Sequence, residues 1–175
     1  MRLTMLLLLA ALGVIRAESA AGVRWTAPSS WKAQASRPMR AATYAVPAAP
    51  GDKEDGECAV YYFGRGQGGS VDDNMKRWIS QFSPPQKEAQ PRKRTVNGLD
   101  VTEIDLSGTY TGAGGPMAIT KTVKPGYRLL GAIVEAPEGL IFIKFTGPAK
   151  TVTANQGNFE NLLKSFAREK SIQQA

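Results

Sequence analysis

Residues 127–145 read YRLLGAIVEAPEGLIFIKF, and this stretch decides the fold class. It contains two apolar, β-prone runs, Tyr127–Glu135 and Leu140–Phe145, separated by the turn-forming residues Ala136-Pro137-Glu138-Gly139. Parallel strands need a long crossover, whereas a short turn joins consecutive strands in antiparallel fashion. The stretch therefore predicts an antiparallel hairpin.

Further candidate strands lie on both sides of this hairpin, each bounded by turn-forming residues. The Asn97-Gly98 pair stands between β-prone residues and is a strong signal for a second hairpin. The other candidate strands are Met39–Val46, Glu57–Phe63, Asp100–Leu106 and Met117–Val123, with turns expected at Pro47–Gly56 and Lys124-Pro125-Gly126.

Two segments have the periodicity of amphipathic helices. In the first, Ser70 is a suitable N-cap with Asp73 three residues later, and Ser83-Pro84-Pro85 ends the helix. The second helix is expected over Lys150–Arg168. The sequence thus predicts a single α+β domain, a mostly antiparallel β-sheet flanked by two amphipathic helices. The apolar stripe of the first helix consists of Val71, Met75, Trp78 and Phe82.

The order of elements resembles the PsbP-like family. The opening Trp25-Thr-Ala-Pro28-Ser-Ser-Trp31 is similar to the aromatic-x-x-Pro-x-x-Trp start of such domains. At the other end, the strand Leu140–Phe145 is followed by Gly147-Pro148 and by a helix that contains Phe159 and Ser165-Phe166. The resemblance implies an α-β-α sandwich. Members of the family include photosystem accessory proteins and exported proteins of unassigned role, and no functional residue is transferred from them to this chain.

The N-terminus has the pattern of a secretory signal. Arg2 precedes an apolar run, Leu3–Ile15, that is shorter than the roughly 20 residues of a membrane-spanning helix. Small residues follow, and cleavage is expected after Ala17 or Ala21. We therefore expect export to the periplasm or the extracellular space, a signal over residues 1–21, a domain over residues 22–169 and a polar tail over residues 170–175. An uncleaved membrane anchor is the alternative; after cleavage no stable membrane span is expected.

The residue counts exclude several kinds of site. The chain contains no His, which excludes Ser-His-Asp and Cys-His catalysis and His-containing zinc sites. Its single cysteine, Cys58, excludes clustered-cysteine metal sites and an intramolecular disulfide. Cys58 alternates with Val60 and Tyr62, which predicts a buried thiol, with an intermolecular disulfide as the alternative. No cofactor and no metal are expected.

The charge of the chain indicates the class of partner. The formal net charge is +7. Removing residues 1–17 leaves 20 basic and 15 acidic residues, a net of +5, and cleavage after Ala21 gives +6. Such a charge favours weak attraction to anionic surfaces. The expected partner is an unidentified protein or an anionic envelope component, and not a nucleic acid, because the basic run Arg92-Lys93-Arg94 is short.

Two glycine-rich segments are candidate ligand loops. In Phe63–Ser70 the side chains of Arg65, Gln67 and Ser70 are candidate ligand-binding groups at the start of a helix. The segment lacks the Gly-Lys-Ser/Thr ending of a phosphate-binding loop, so a tight connection capped by Ser70 is the alternative. In the second loop, Ser107–Gly115, Tyr110 is a candidate for stacking on a ligand, with a mobile hairpin tip as the alternative.

No residue of the sequence is assigned a catalytic role. The function expected is that of an exported, non-enzymatic binding or accessory domain. One alternative is a small hydrolase that uses carboxylates such as Glu103 and Asp105, or the Ser29-x-x-Lys32 pair. The other alternative is a structural envelope protein.

Overall fold

The computed structural model describes residues 17–86, 88–113 and 122–170. Residues 1–16 of the expected signal (1–21) and residues 171–175 of the expected tail (170–175) lie outside the described residues. The strands are β1 (Ala17–Ala20), β2 (Val23–Thr26), β3 (Lys32–Ala33), β4 (Arg40–Val46), β5 (Gly56–Tyr61), β6 (Phe82–Ser83), β7 (Arg92–Val96), β8 (Leu99–Ala113), β9 (Thr122–Ala136), β10 (Gly139–Pro148) and β11 (Ala167–Arg168). The helices are α1 (Val71–Ser80), α2 (Ala149–Ala154) and α3 (Gln156–Ser165).

The strands form two antiparallel sheets. The larger sheet has the order β3-β4-β5-β10-β9-β8-β6, and β7 also pairs with β8. The smaller sheet has the order β1-β2-β11 and joins the start of the described chain to its end. The β9–β10 hairpin turns between the paired residues Ala136 and Gly139, and the β7–β8 hairpin turns at Asn97 and Gly98, which both have positive φ.

The expected α-β-α sandwich with two flanking amphipathic helices is wrong. Strands make up 49% of the described residues and helices 18%, so the protein is mainly an antiparallel β-structure with three short helices. The helix expected over Lys150–Arg168 is interrupted at Asn155, whose side-chain Nδ2 donates to the carbonyl oxygen of Thr151. After α3, residues Ala167–Arg168 pair with β2 instead of continuing as helix.

The second glycine-rich segment is also different from the expectation. The segment expected as a loop from Gly108 continues as strand to Ala113, with irregular register on either side of Tyr110. The turn expected at Lys124-Pro125-Gly126 lies inside β9, where Gly126 adopts φ 68°. Bulges of this kind let a glycine-containing strand continue while it bends. Most of the strand expected over Met117–Val123 lies outside the described residues.

Two hydrophobic clusters cover opposite faces of the larger sheet. Helix α1 starts as expected, since the Ser70 hydroxyl accepts the N–H of Asp73 at 3.1 Å, and it packs on one face through Met75 and Trp78. On the other face, α2, α3 and the smaller sheet contribute to a cluster that includes Trp25, Trp31, Ile143, Phe145, Phe159 and Phe166. Cys58 is a free, fully buried thiol in that cluster, and burial raises its pKa.

Within the described part of the chain, none of the three helices has the length and apolar character needed to cross a membrane.

Candidate functional site

A lysine lies between apolar residues of β10 and faces the side of the sheet that carries α1. Successive side chains of a strand point to opposite faces. Ile143 and Phe145 belong to the cluster on the α3 side, so Lys144 between them points the other way. Its Nζ donates to Gln81 Oε1 at 2.8 Å and to the hydroxyl oxygen of Tyr110 at 3.2 Å.

Small residues on the neighbouring strands make room for the Lys144 side chain. Its cross-strand partners are Ala59 on β5 and Gly131 on β9. A Cβ on Gly131 would lie 2.5 Å from the Trp78 ring, so glycine allows this indole to pack directly on the backbone. The Lys144 Nζ then lies 5.9 Å from the Trp78 ring centroid and 5.6 Å from that of Tyr110, within range of cation–π attraction.

The end of α1 brings Gln81 and Tyr110 together. The carbonyl oxygen of Gln81 accepts the backbone N–H of Thr111 at 2.7 Å and the Thr111 hydroxyl at 3.0 Å. The next residue, Phe82, pairs with Tyr110 across β6 and β8. The two groups that contact the Lys144 amine are therefore fixed by backbone pairing between distant segments of the chain.

Two arginines and one carboxylate lie on the same face, toward the β4 edge. Arg40 Nη1 lies 2.8 Å from Glu57 Oε1, and Arg37 Nη1 lies 3.3 Å from Glu57 Oε2. The Arg40 guanidinium also stacks over the Tyr61 ring at 5.1 Å and donates to the Thr43 hydroxyl. Glu57 is thus shared between two cations.

A strained turn positions these arginines. The N–H of Arg40 bonds to the carbonyl oxygen of Arg37, Pro38 follows Arg37, and Met39 has φ 65°. This is the arrangement of a type II turn, in which the third position favours glycine. A non-glycine residue there costs about 1–3 kcal/mol, and such strain is often found at functional sites. Met39 is also 68% exposed.

Positive charge exceeds negative charge around Lys144. The pKa of Lys144 is lowered to about 8, first by burial and then by repulsion from Arg40 and Arg77, against attraction by Glu57. Among the described residues, no carboxylate lies within salt-bridge distance of Lys144 or Arg77. We call this group the Lys144 cluster; its members are Arg37, Arg40, Glu57, Arg77, Gln81, Tyr110 and Lys144.

The tyrosine of the cluster is held in its protonated form. Tyr110 is only 6% exposed and packs against Phe82 and Tyr127 at 5.3 and 6.1 Å between ring centroids. Its pKa is raised to about 12, first by burial and then by Tyr61 and Glu57, against an opposite effect of Arg40. Its hydroxyl is therefore a proton donor at neutral pH.

The structure separates the four residues that the sequence singles out. Tyr110 lies on β8 inside the Lys144 cluster, although the sequence placed it in a loop. Arg65 and Gln67 are exposed in the connection between β5 and α1, and the Ser70 hydroxyl caps α1 and donates to Asp73 Oδ2 at 2.7 Å. The contacts of Tyr110 include none of these three, and a ligand-binding role for them stays a prediction.

Sequence reasoning missed the other members of the cluster. Lys144 is the one charged residue in the apolar run Leu140–Phe145, and a lone charge in a buried strand is the signal that would have identified it. Arg40, Arg77 and Gln81 carry no local signal, because they come from segments that only the folded sheet brings together.

The carboxylates considered for hydrolysis are engaged elsewhere. Glu103 Oε2 lies 2.7 Å from Arg94 Nε, and Asp105 Oδ2 lies 2.7 Å from Arg128 Nη2. Arg94 also pairs with Glu160 at 2.7 Å, which lowers the pKa of Glu160. Glu103, Asp105 and Glu160 line a surface pocket of about 630 Å³ on the α3 side, so each of its carboxylates faces an arginine.

A second pocket of about 380 Å³ is lined by uncharged polar groups of the β2–β3 connection and α3, among them Ser29, Ser30, Asn158 and Asn161. Of the Ser29-x-x-Lys32 pair considered for hydrolysis, Ser29 thus lines this pocket, and Lys32 begins the exposed edge strand β3.

Within the described ranges, no group of three or more Cys, Asp or Glu residues is arranged to hold a metal ion. Comparison of the chain with models of protein families and with curated protein sequences yields no match.

Proposed function

We propose that the protein is an exported, non-enzymatic binding or accessory module, and that it holds an anionic group of its partner at the Lys144 cluster. The single observation that carries the proposal is the surplus of positive charge there. The cluster contains four cationic side chains and one carboxylate, Glu57, and two of the cations, Arg77 and Lys144, have no carboxylate within salt-bridge distance among the described residues.

An anion would relieve the repulsion within this cluster. Arg40 and Arg77 already disfavour a charged amine on Lys144. A bound carboxylate, phosphate or sulfate would interact favourably with all three cations, and arginine donors suit such planar or tetrahedral anions. Binding would raise the pKa of Lys144 and take up a proton, so affinity is expected to fall as the pH rises above about 8.

The rest of the molecule supports an anionic partner of the envelope. A net charge of +5 to +6 after cleavage attracts anionic polymers and headgroups over a longer range. The hydrolase alternative is less well supported, because Glu103, Asp105 and Glu160 are each paired with an arginine.

The experiment is a thermal-shift titration of the cleaved protein with inorganic phosphate, sulfate and a polyanion at low and high salt. An anion at about 100 times its Kd should stabilise the protein by roughly 2.7 kcal/mol. Arg77→Ala should weaken the effect, whereas Lys76→Ala should not: both side chains are exposed on α1, but only Arg77 is among the charges that act on Lys144. An equal effect of both variants, or no response to any anion, would contradict the proposal.

A further inference from the structure

We propose that the Lys144 amine forms a reversible imine with a carbonyl compound that carries a carboxylate, such as a 2-oxo acid. The inference rests on the proposed function, because the Lys144 cluster must hold the carboxylate while the amine meets the carbonyl carbon. It adds a covalent step and a ligand class to that function.

The amine makes no ion pair among the described residues. Both acceptors at hydrogen-bond distance, Gln81 Oε1 and the Tyr110 hydroxyl, are uncharged. A lysine becomes a useful nucleophile when it is desolvated or lies beside other cations, since both conditions favour its neutral form. Lys144 meets both conditions, because it is half-buried beside Arg40 and Arg77.

The titratable and charged groups around the amine come from four elements. Arg40 faces it from β4, Glu57 from β5, Arg77 from α1 and Tyr110 from β8, and Tyr61 of β5 lies near Tyr110. Glu57 alone favours the charged amine, and its carboxylate is already bound by Arg37 and Arg40. The Trp78 and Tyr110 rings cover the amine and would limit the access of water to an imine.

The chemistry needs only water and protons. The Nζ lone pair of the neutral amine attacks the carbonyl carbon, and the π electrons move to the oxygen, which takes a proton. The carbinolamine then loses this oxygen as water, nitrogen loses its proton, and the C=N bond forms. The Tyr110 hydroxyl is positioned to supply a proton to the oxygen, as it lies 3.2 Å from Nζ. Arg40 and Arg77 would bind the carboxylate.

The test is reductive trapping of the full chain with glyoxylate and cyanoborohydride near pH 8, read by intact mass and peptide mapping. We expect the peptide that contains Lys144 to be labelled at least about ten-fold faster than any other lysine, because a larger fraction of this amine is neutral. Propanal, which lacks the carboxylate, should label Lys144 more slowly. Lys144→Arg and Lys144→Met should abolish the fast labelling, and Lys164→Arg should not.

The outcomes separate this inference from the proposed function. If Lys144 is labelled no faster than exposed lysines while phosphate still raises the Tm, the imine is excluded and the anion site stands. If propanal labels Lys144 as fast as glyoxylate, the carboxylate is not held and both proposals are contradicted. The pH dependence also separates the imine from the anion site. Labelling of Lys144 should accelerate above pH 8, whereas phosphate binding should weaken.

Discussion

The indole Nε1 of Trp25 donates a 2.9 Å hydrogen bond to the hydroxyl oxygen of Tyr44 inside the core. This bond links β2 of the smaller sheet to β4 of the larger sheet. Trp25 also stacks on Phe166 at 5.2 Å between ring centroids, and is only 1% exposed. This buried polar contact within an apolar cluster thus ties the start of the domain to the larger sheet.

Removing the Tyr44 hydroxyl should lower the free energy of unfolding. Tyr44→Phe leaves the buried indole N–H of Trp25 without a partner, which costs about 1–3 kcal/mol. Tyr62→Phe is the matched control, because the Tyr62 hydroxyl donates to the Glu138 carbonyl oxygen in an exposed position. Urea unfolding of the two variants measures the difference. Equal losses of unfolding free energy would mean that the buried Trp25–Tyr44 bond contributes no more than the exposed bond of Tyr62.

Lys144 should make the protein more stable as the pH rises from 8 to 10. The pKa of Lys144 is lowered from 10.5 to about 8 in the folded state, mainly by burial. The unfolded chain therefore binds more protons in this window, so stability increases with pH and is lost as the pH falls through 8. Lys144→Met should remove most of this slope and raise stability at pH 7, whereas Lys164→Met, at an exposed lysine, should leave the slope unchanged. Urea midpoints of the protein and of both variants at several pH values measure this slope.

The buried tyrosines should resist ionisation in alkali. Burial is the largest cause that raises the pKa values of Tyr44, Tyr110 and Tyr127 above 10. The stability that a raised pKa contributes is present below the unfolded pKa and is lost as the pH rises through the folded pKa. Between pH 10 and 12, native protein should therefore contain less tyrosinate than protein in urea, as measured by ultraviolet absorbance. Identical titrations would show that these hydroxyls reach solvent.

Relief of the left-handed conformation at Met39 should stabilise the protein. Met39 is exposed and has φ 65° in the turn between Arg37 and Arg40. Met39→Gly should raise the free energy of unfolding by about 0.5–1 kcal/mol, and Met39→Val should lower it, because a β-branched residue fits positive φ poorly. Both are measured by thermal unfolding. If Met39→Gly also leaves phosphate binding intact, the turn positions Arg40 by its shape rather than through the methionine side chain.

Local patterns in the sequence predicted local structure and little beyond it. The cap at Ser70 and the turns at Asn97-Gly98 and at residues 136–139 are determined by neighbouring residues, and the structure has them. The smaller sheet pairs Val23 with Arg168, and no periodicity relates residues so far apart. Apart from Tyr110, the members of the Lys144 cluster were missed for the same reason, since they come from β4, β5, α1, β10 and the connections next to β4 and α1.

The position of β1 favours one of the two expected cleavage sites. Glu18, Ser19 and Ala20 pair with β2, and the carbonyl oxygen of Ala21, itself 5% exposed, accepts the N–H of Glu138 at 3.0 Å. Cleavage after Ala17 keeps these interactions, whereas cleavage after Ala21 removes the strand and leaves β2 unpaired on that edge. We therefore predict that exported protein begins at Glu18, as measured by N-terminal sequencing. A chain that begins at Gly22 should unfold at a lower urea concentration than one that begins at Glu18, and a mature N-terminus at Gly22 with equal stability would contradict the prediction.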